Sequence, residues 1–342
     1  MMTEHPIPQC HDLHEAQVTS ALASLLPDCA HGVAELADVA AGAERTLRIP
    51  YSRIGAGPPL LLLHGHPQTR AIWAQVAPAL ASRFTVVLTD LRGYGDADKP
   101  TDALGAPPHA AYTKRAMAAD QIGLMRALGF ERFAVVGHDR GARVAHRLAL
   151  DYPQAVTQLM LLDIAPTLDM YEQTDMAFAR AYWHWFYLIQ PAPLPETMIN
   201  ADPVFYLRHL MGNRSAGLAP FPAAALAEYL RAAGNPDTVR AMCEDYRASA
   251  GPDLELDRAD RQAGRLIQCP LRVLWGEDGI IGKLFDPLGL WRAATAPAHA
   301  VTGEALACGH YLPEEAPERV VAQVLRFLGE TADGAHAAQS SP

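Results

Sequence analysis

Phe133-Ala134-Val135-Val136-Gly137-His138-Asp139-Arg140-Gly141 is the stretch on which the reading of this chain turns. A short apolar run ends in Gly-x-Asp-x-Gly, and apolar positions at helical spacing continue from Gly141 to Asp151. The pattern encodes a buried strand that bends sharply into a helix and lifts one side chain at the bend. Small residues on either side let such a turn close. The lifted side chain here is Asp139.

Similar runs flank this one: Leu60-Leu61-Leu62-Leu63, Phe84-Thr85-Val86-Val87-Leu88, Leu159-Met160-Leu161-Leu162 and Leu271-Arg272-Val273-Leu274-Trp275. Continuously apolar strands are buried on both faces, which requires a parallel sheet covered by helices. Thr69 to Ser82 and Thr113 to Gly129 supply the helical spacing between them. The alternation predicts an α/β protein with a doubly wound, mostly parallel sheet.

The rhythm stops after Asp163-Ile164-Ala165-Pro166. Aromatic-rich helical patterns (Tyr182-Trp183-His184-Trp185-Phe186-Tyr187) and a proline-rich connector, Gln190-Pro191-Ala192-Pro193-Leu194-Pro195, follow until the strand at Leu271. The expected organisation is an N-terminal extension over 1–44, loose or helical, and a core over 45–166 and 266–330. A helical cap over 167–265 is inserted into that core, and a flexible tail covers 331–342.

With 342 residues, half of them hydrophobic, the chain can bury a full core. A formal charge of −10 argues against nucleic acid or an anionic membrane as partner. No apolar run approaches the roughly 20 residues of a membrane span. Met1-Met2-Thr3-Glu4-His5-Pro6 lacks the basic start and apolar stretch of a secretory signal. Cys10, Cys29, Cys243, Cys269 and Cys308 are odd in number and scattered, which suits free thiols in a cytoplasmic protein.

A carboxylate at the bend needs no base to activate it and can attack a saturated carbon, giving an ester that water then hydrolyses. The helix N-terminus favours its ionised form. The competing reading makes Asp139 merely the N-cap of the helix. His64-Gly65-His66-Pro67 follows a strand where a backbone N–H, that of His66, completes an oxyanion hole with the N–H of Arg140. His64 and His66 could alternatively be a metal pair, but no third ligand stands at metal spacing, so no metal and no cofactor is expected. Cys308-Gly309-His310 follows a last strand near Ala300-Val301-Thr302 and offers His310 as the base that activates water. Two acids can orient it, Asp163 and Asp278, each at the end of a strand.

At this point the chain resembles the fluoroacetate/haloacetate dehalogenases, which have the α/β-hydrolase fold. The resemblance rests on Gly137-His138-Asp139-Arg140-Gly141-Ala142-Arg143, Tyr182-Trp183-His184-Trp185 ahead of Gln190 to Glu196, Met242-Cys243-Glu244-Asp245-Tyr246-Arg247, and Gly309-His310-Tyr311-Leu312-Pro313-Glu314-Glu315-Ala316-Pro317. It runs from about Pro58 to Leu328. It implies dehalogenation of small 2-haloacids through an ester on Asp139, a homodimer, and Asp163 as the acid. Glu277-Asp278 departs from the pattern and keeps Asp278 open; His66 stands where some relatives carry an apolar aromatic.

The resemblance also assigns Arg140 and Arg143 to the substrate carboxylate, and His184, Trp185 and Tyr246 to the departing halide. Two cations in the first turn of a helix oppose its dipole at roughly 0.3–1 kcal/mol each, a rule broken where a site demands it. Hydrogen bonds to a charged group are worth about 1.5–3 kcal/mol, so three donors supply up to roughly 10⁶-fold in rate. The rivals are an epoxide hydrolase with the same nucleophile, which needs acidic cap tyrosines, a haloalkane dehalogenase, and a non-catalytic binding protein of the same fold.

Overall fold

The computed structural model describes residues 5–16, 19–42, 45–214 and 216–339. Nine strands form one sheet: β1 (Cys10–Glu15), β2 (Ala30–Ala37), β3 (Thr46–Ile54), β4 (Pro59–Leu63), β5 (Thr85–Thr89), β6 (Phe133–His138), β7 (Val156–Leu162), β8 (Leu271–Gly276) and β9 (Val301–Leu306), in the order β1-β2-β3-β5-β4-β6-β7-β8-β9. From β5 onward every pairing is parallel, with Leu61 beside Val87 on one side and Val135 on the other. The four leucines of β4 are fully buried because helices cover both faces. Each contributes on the order of 1.5–3 kcal/mol. The helices Lys114–Ala127 and Arg140–Asp151 pack together beneath β6. This is the doubly wound architecture that the sequence and its resemblance imply.

The N-terminal segment departs from expectation. Residues 1–44 are no separate extension: β1 and β2 add antiparallel strands to the sheet, β2 pairing in full register with β3 from Ala30–Arg53 to Ala37–Thr46. The helix Ser20–Leu25 between them is capped by Thr19 and packs on the cap helix Ala223–Ala233. Thr69 to Ser82 is not one helix but a 3-10 turn, Arg70–Trp73, and a short helix, Ala77–Leu80. The helix Pro317–Gln339 runs through 331–339, part of the stretch expected as a flexible tail, and 340–342 lie outside the described residues. So do Met1 to Glu4, the start read above against a secretory signal.

Between β7 and β8 the described residues make eight helices, from Thr167–Glu172 to Pro252–Gln262, and no strand. They lie over the C-terminal ends of the parallel strands, where open α/β sheets place their sites. No helix among the described residues is long and apolar enough to cross a membrane.

Candidate active site

Asp139 stands between β6 and the helix Arg140–Asp151 with φ 48° and ψ −113°, a conformation that costs a non-glycine residue on the order of 1–3 kcal/mol. Close packing holds it there. A Cβ on Gly141 would lie 2.3 Å from the His64 carbonyl oxygen, and one on Gly65 would lie 2.5 Å from the Asp139 Cβ. The N-cap alternative does not hold, since the Asp139 side chain makes no capping hydrogen bond. Its Oδ1 instead accepts from the His66 backbone N–H at 2.9 Å. Burial alone would push the Asp139 carboxyl up, but His310, Arg143 and Arg140 reverse this and hold it well below the usual carboxylate range.

His310 faces this carboxylate from the loop after β9. Its Nδ1 lies 2.6 Å from Asp163 Oδ2 and its Nε2 lies 3.9 Å from Asp139 Oδ2. Asp163, at φ 53°, is fixed in turn by the Gly276 N–H on its Oδ1 at 2.9 Å. The alternative acid, Asp278, is exposed, so Asp163 is the carboxylate on His310. His138 was not singled out by sequence, yet its Nε2 donates to the His310 carbonyl at 2.8 Å and ties the His310 loop to the Asp139 turn. His64 is no metal ligand. Its Nδ1 is bonded to the Gly65 carbonyl at 3.0 Å and its Nε2 accepts from the Leu91 N–H at 3.0 Å.

Both predicted arginines are buried beside Asp139, but they are not equivalent. Arg140 donates to Asp245 through Nε at 2.9 Å and Nη2 at 2.6 Å, with a further bond to Ser249 Oγ at 2.6 Å. Asp245 also takes the Tyr94 hydroxyl at 2.7 Å and Lys114 Nζ. Arg143 has only neutral partners, chiefly Thr167 Oγ1 at 2.9 Å and the Ala165 carbonyl at 3.2 Å. Its guanidinium lies over the Trp185 ring, and that of Arg140 over Tyr246, at 4.7 and 4.2 Å. Arg140 Nη1 and Arg143 Nε are buried without a partner among the described residues. Arg140 is thus held by the Asp245 carboxylate, whereas Arg143 has no carboxylate hydrogen-bonded to it among the described residues and feels the charge of Asp139 instead.

Around them gathers a set of buried donors with no partner among the described residues: His184 Nδ1, Trp185 Nε1 and the Tyr246 hydroxyl. Their rings cluster, Tyr246 lying 5.8 Å from His184 and 6.3 Å from Trp185. Two further groups join them: the Tyr182 hydroxyl, which the sequence reading did not place here, and the ring nitrogens of His66, whose backbone N–H it placed in the oxyanion hole. Leaving one such group unsatisfied costs about 1–3 kcal/mol. Five together can donate to one small bound group. Burial pushes the His66 imidazole down to about 3 and that of His184 far down, while it raises the Tyr246 phenol. At neutral pH these are uncharged donors.

Glu314 braces the same loops. Its carboxyl meets Gln68 Nε2, just after His66, and accepts from the cap residue Tyr229 at 2.8 Å. Burial raises it from 4.5 to about 8. The folded protein then keeps a proton that the unfolded chain loses near 4.5, so this contribution to stability is present at acid pH and lost as pH rises through about 8. Glu314→Gln removes the titration and keeps the shape. Its melting temperature is expected to gain on the wild type as pH rises from about 4.5 to about 8, by the equivalent of at most about 5 kcal/mol. Parallel melting curves across that range would refute the assignment.

The alpha/beta hydrolase fold family matches residues 58–317. The chain is 46% identical to the fluoroacetate dehalogenase of Burkholderia sp over 82% of its length and 90% of that protein. It is 33% identical to the soluble epoxide hydrolase of Corynebacterium sp. (strain C12), over 82% and 93%. A crystal structure from Salmonella enterica, provisionally assigned as an acyltransferase, is 47% identical with a TM-score of 0.83, over 93% and 99%.

Proposed function

Because the chain belongs to the α/β-hydrolase family, among the fluoroacetate dehalogenases, we propose that it hydrolyses small 2-haloacids, haloacetates first, through an ester on Asp139. The observation that carries this reading is the pair of buried guanidiniums, each with an unpartnered N–H, beside an ionised carboxylate. An uncharged substrate gives them nothing to bind. An acyl transfer reading needs serine or cysteine at the bend, where Asp139 stands.

Arg143 and Arg140 Nη1 take the substrate carboxylate and set its α-carbon before Asp139. With Oδ1 held by the His66 N–H, Oδ2 attacks; the new C–O bond forms as the carbon–halogen bond breaks. His184, Trp185 and Tyr246 receive the halide through neutral N–H and O–H groups. His310 Nε2, its Nδ1–H fixed by Asp163, then takes a proton from water as the oxygen adds to the Asp139 carbonyl carbon. Charge on Oδ1 falls on the N–H groups of His66 and Arg140. The hydroxyacid leaves with the proton from His310, and Asp139 ionises again, so one halide and one proton appear per water consumed.

The homodimer implied by the family is supported by Leu194, Met198, Val204 and Phe205, which expose apolar side chains on two successive cap helices. Five free cysteines fit the reducing cytoplasm. A second reading, epoxide hydrolysis, is favoured by one observation: the Tyr182 and Tyr246 hydroxyls are both buried and unpartnered, as donors to an epoxide oxygen need to be. A halide electrode with fluoro-, chloro- and bromoacetate, run beside a diol assay on styrene oxide, separates the two. Halide release is expected; diol without halide would overturn the proposal.

A further inference from the structure

A cavity of about 350 Å³ runs from His310 and His184 to a mouth between the cap and the loop after β8. That volume is in the range of small-ligand sites. Its walls carry two guanidiniums, Arg180 and Arg214, against one exposed carboxylate, Asp278. Arg214 differs from most arginines of this protein. It makes no ion pair among the described residues, and its guanidinium carbon lies 5.2 Å from the Tyr182 ring centroid. It lines the same cavity as His310. It is a cation without a fixed partner, one short step from the nucleophile.

We propose that Arg214 is a specificity-determining residue that receives a second anionic group, so that short 2-halo dicarboxylates are better substrates than 2-halo monocarboxylates of the same length. The inference rests on the dehalogenase reading and extends its substrate class. Around the α-carbon, one direction is taken by Arg140 and Arg143, one by Asp139 and one by the halide donors. Two substituents remain, hydrogen and the side group, and in one enantiomer the side group turns into the cavity that His184 and His310 open onto. A carboxylate there meets the Arg214 guanidinium, which binds it through paired charge-assisted hydrogen bonds. A methyl group in the same place strips water from the cation and returns nothing. The bonds made and broken are those of the haloacetate reaction, and the product is a 2-hydroxy dicarboxylate.

The test compares 2-chlorosuccinate with 2-chlorobutyrate, each enantiomer separately, in the wild type, Arg214→Gln and Arg214→Lys, with chloroacetate in parallel. The ratio of kcat/KM values within one protein cancels any loss of folded enzyme. The wild type is expected to favour the dicarboxylate by about tenfold or more, the equivalent of 1.4 kcal/mol. The ratio should fall to about one in Arg214→Gln and recover substantially in Arg214→Lys. A wild-type ratio at or below one, or a preference that survives Arg214→Gln, overturns the proposal. Absence of halide from chloroacetate in the wild type is a different result, and it removes the dehalogenase reading and this inference together.

Discussion

Asp139→Asn will release halide from haloacetate at least about 10⁴-fold more slowly than the wild type, the scale seen when a covalent nucleophile is deleted. The substitution is chosen for how little else it disturbs. The side-chain carbonyl of the introduced amide can still accept the His66 N–H that Oδ1 accepts at 2.9 Å, and the amide occupies the same volume. What it removes is the negative charge that attacks carbon, together with the partner that Arg143 faces from within the site. Substrate carboxylate binding should therefore hold or strengthen while turnover disappears, so equilibrium binding of acetate gives the control. Undiminished halide release from a variant whose substitution is verified by peptide mass would mean that Asp139 is not the nucleophile.

His310→Gln separates the two half-reactions. Attack by Asp139 needs no base, because the carboxylate is already ionised, and His310 Nε2 is 3.9 Å from Oδ2, beyond hydrogen-bond reach. The first step should survive. Hydrolysis of the ester should not, because water in this buried site has no other base placed by Asp163. The expected result is a burst of one halide per protein, followed by a rate reduced about 10³-fold or more. Intact mass should show one carboxymethyl group retained, mapping to the peptide that contains Asp139. Steady halide release with no adduct would mean that water attacks the substrate carbon directly and that no ester forms.

The parts of the fold that could be read from the sequence are those buried on both faces. β4, β5, β6, β7 and β8 announce themselves because a strand covered by helices above and below has to be apolar throughout. β1 and β2 do not. β1 is exposed along nearly its whole length, and β2 builds its buried face from Val33, Ala34, Leu36 and Ala37 between His31, Gly32 and Glu35. β3 carries Pro50 at its centre, which sequence reasoning takes as a mark against a strand. An antiparallel edge tolerates this because backbone pairing ties it to the sheet while only part of its side chains, Ala34, Leu36, Leu47 and Ile49 among them, has to join the core.

The site divides in the same way. Asp139, His310 and the arginines sit in local patterns whose geometry follows from the turn that holds them. Asp245 could not be read, although it stands next to Tyr246, because its role exists only when the cap folds back over Arg140, 105 residues earlier. Gln68 and Glu314 meet across 246 residues. His138 occupies the variable position of Gly-x-Asp-x-Gly, which says nothing of the loop it touches. Tyr182 lies inside a quoted motif, but only the fold shows that its hydroxyl lacks a partner where four other donors converge.

The bond from the His66 N–H to Oδ1 makes the two oxygens of Asp139 distinguishable before any substrate arrives. On the proposed ester route, one stays anchored while the other is handed to each product and replaced from solvent. Every hydroxyacid would then carry away the oxygen that the preceding cycle brought in, so that a single atom would keep a record of the last turnover.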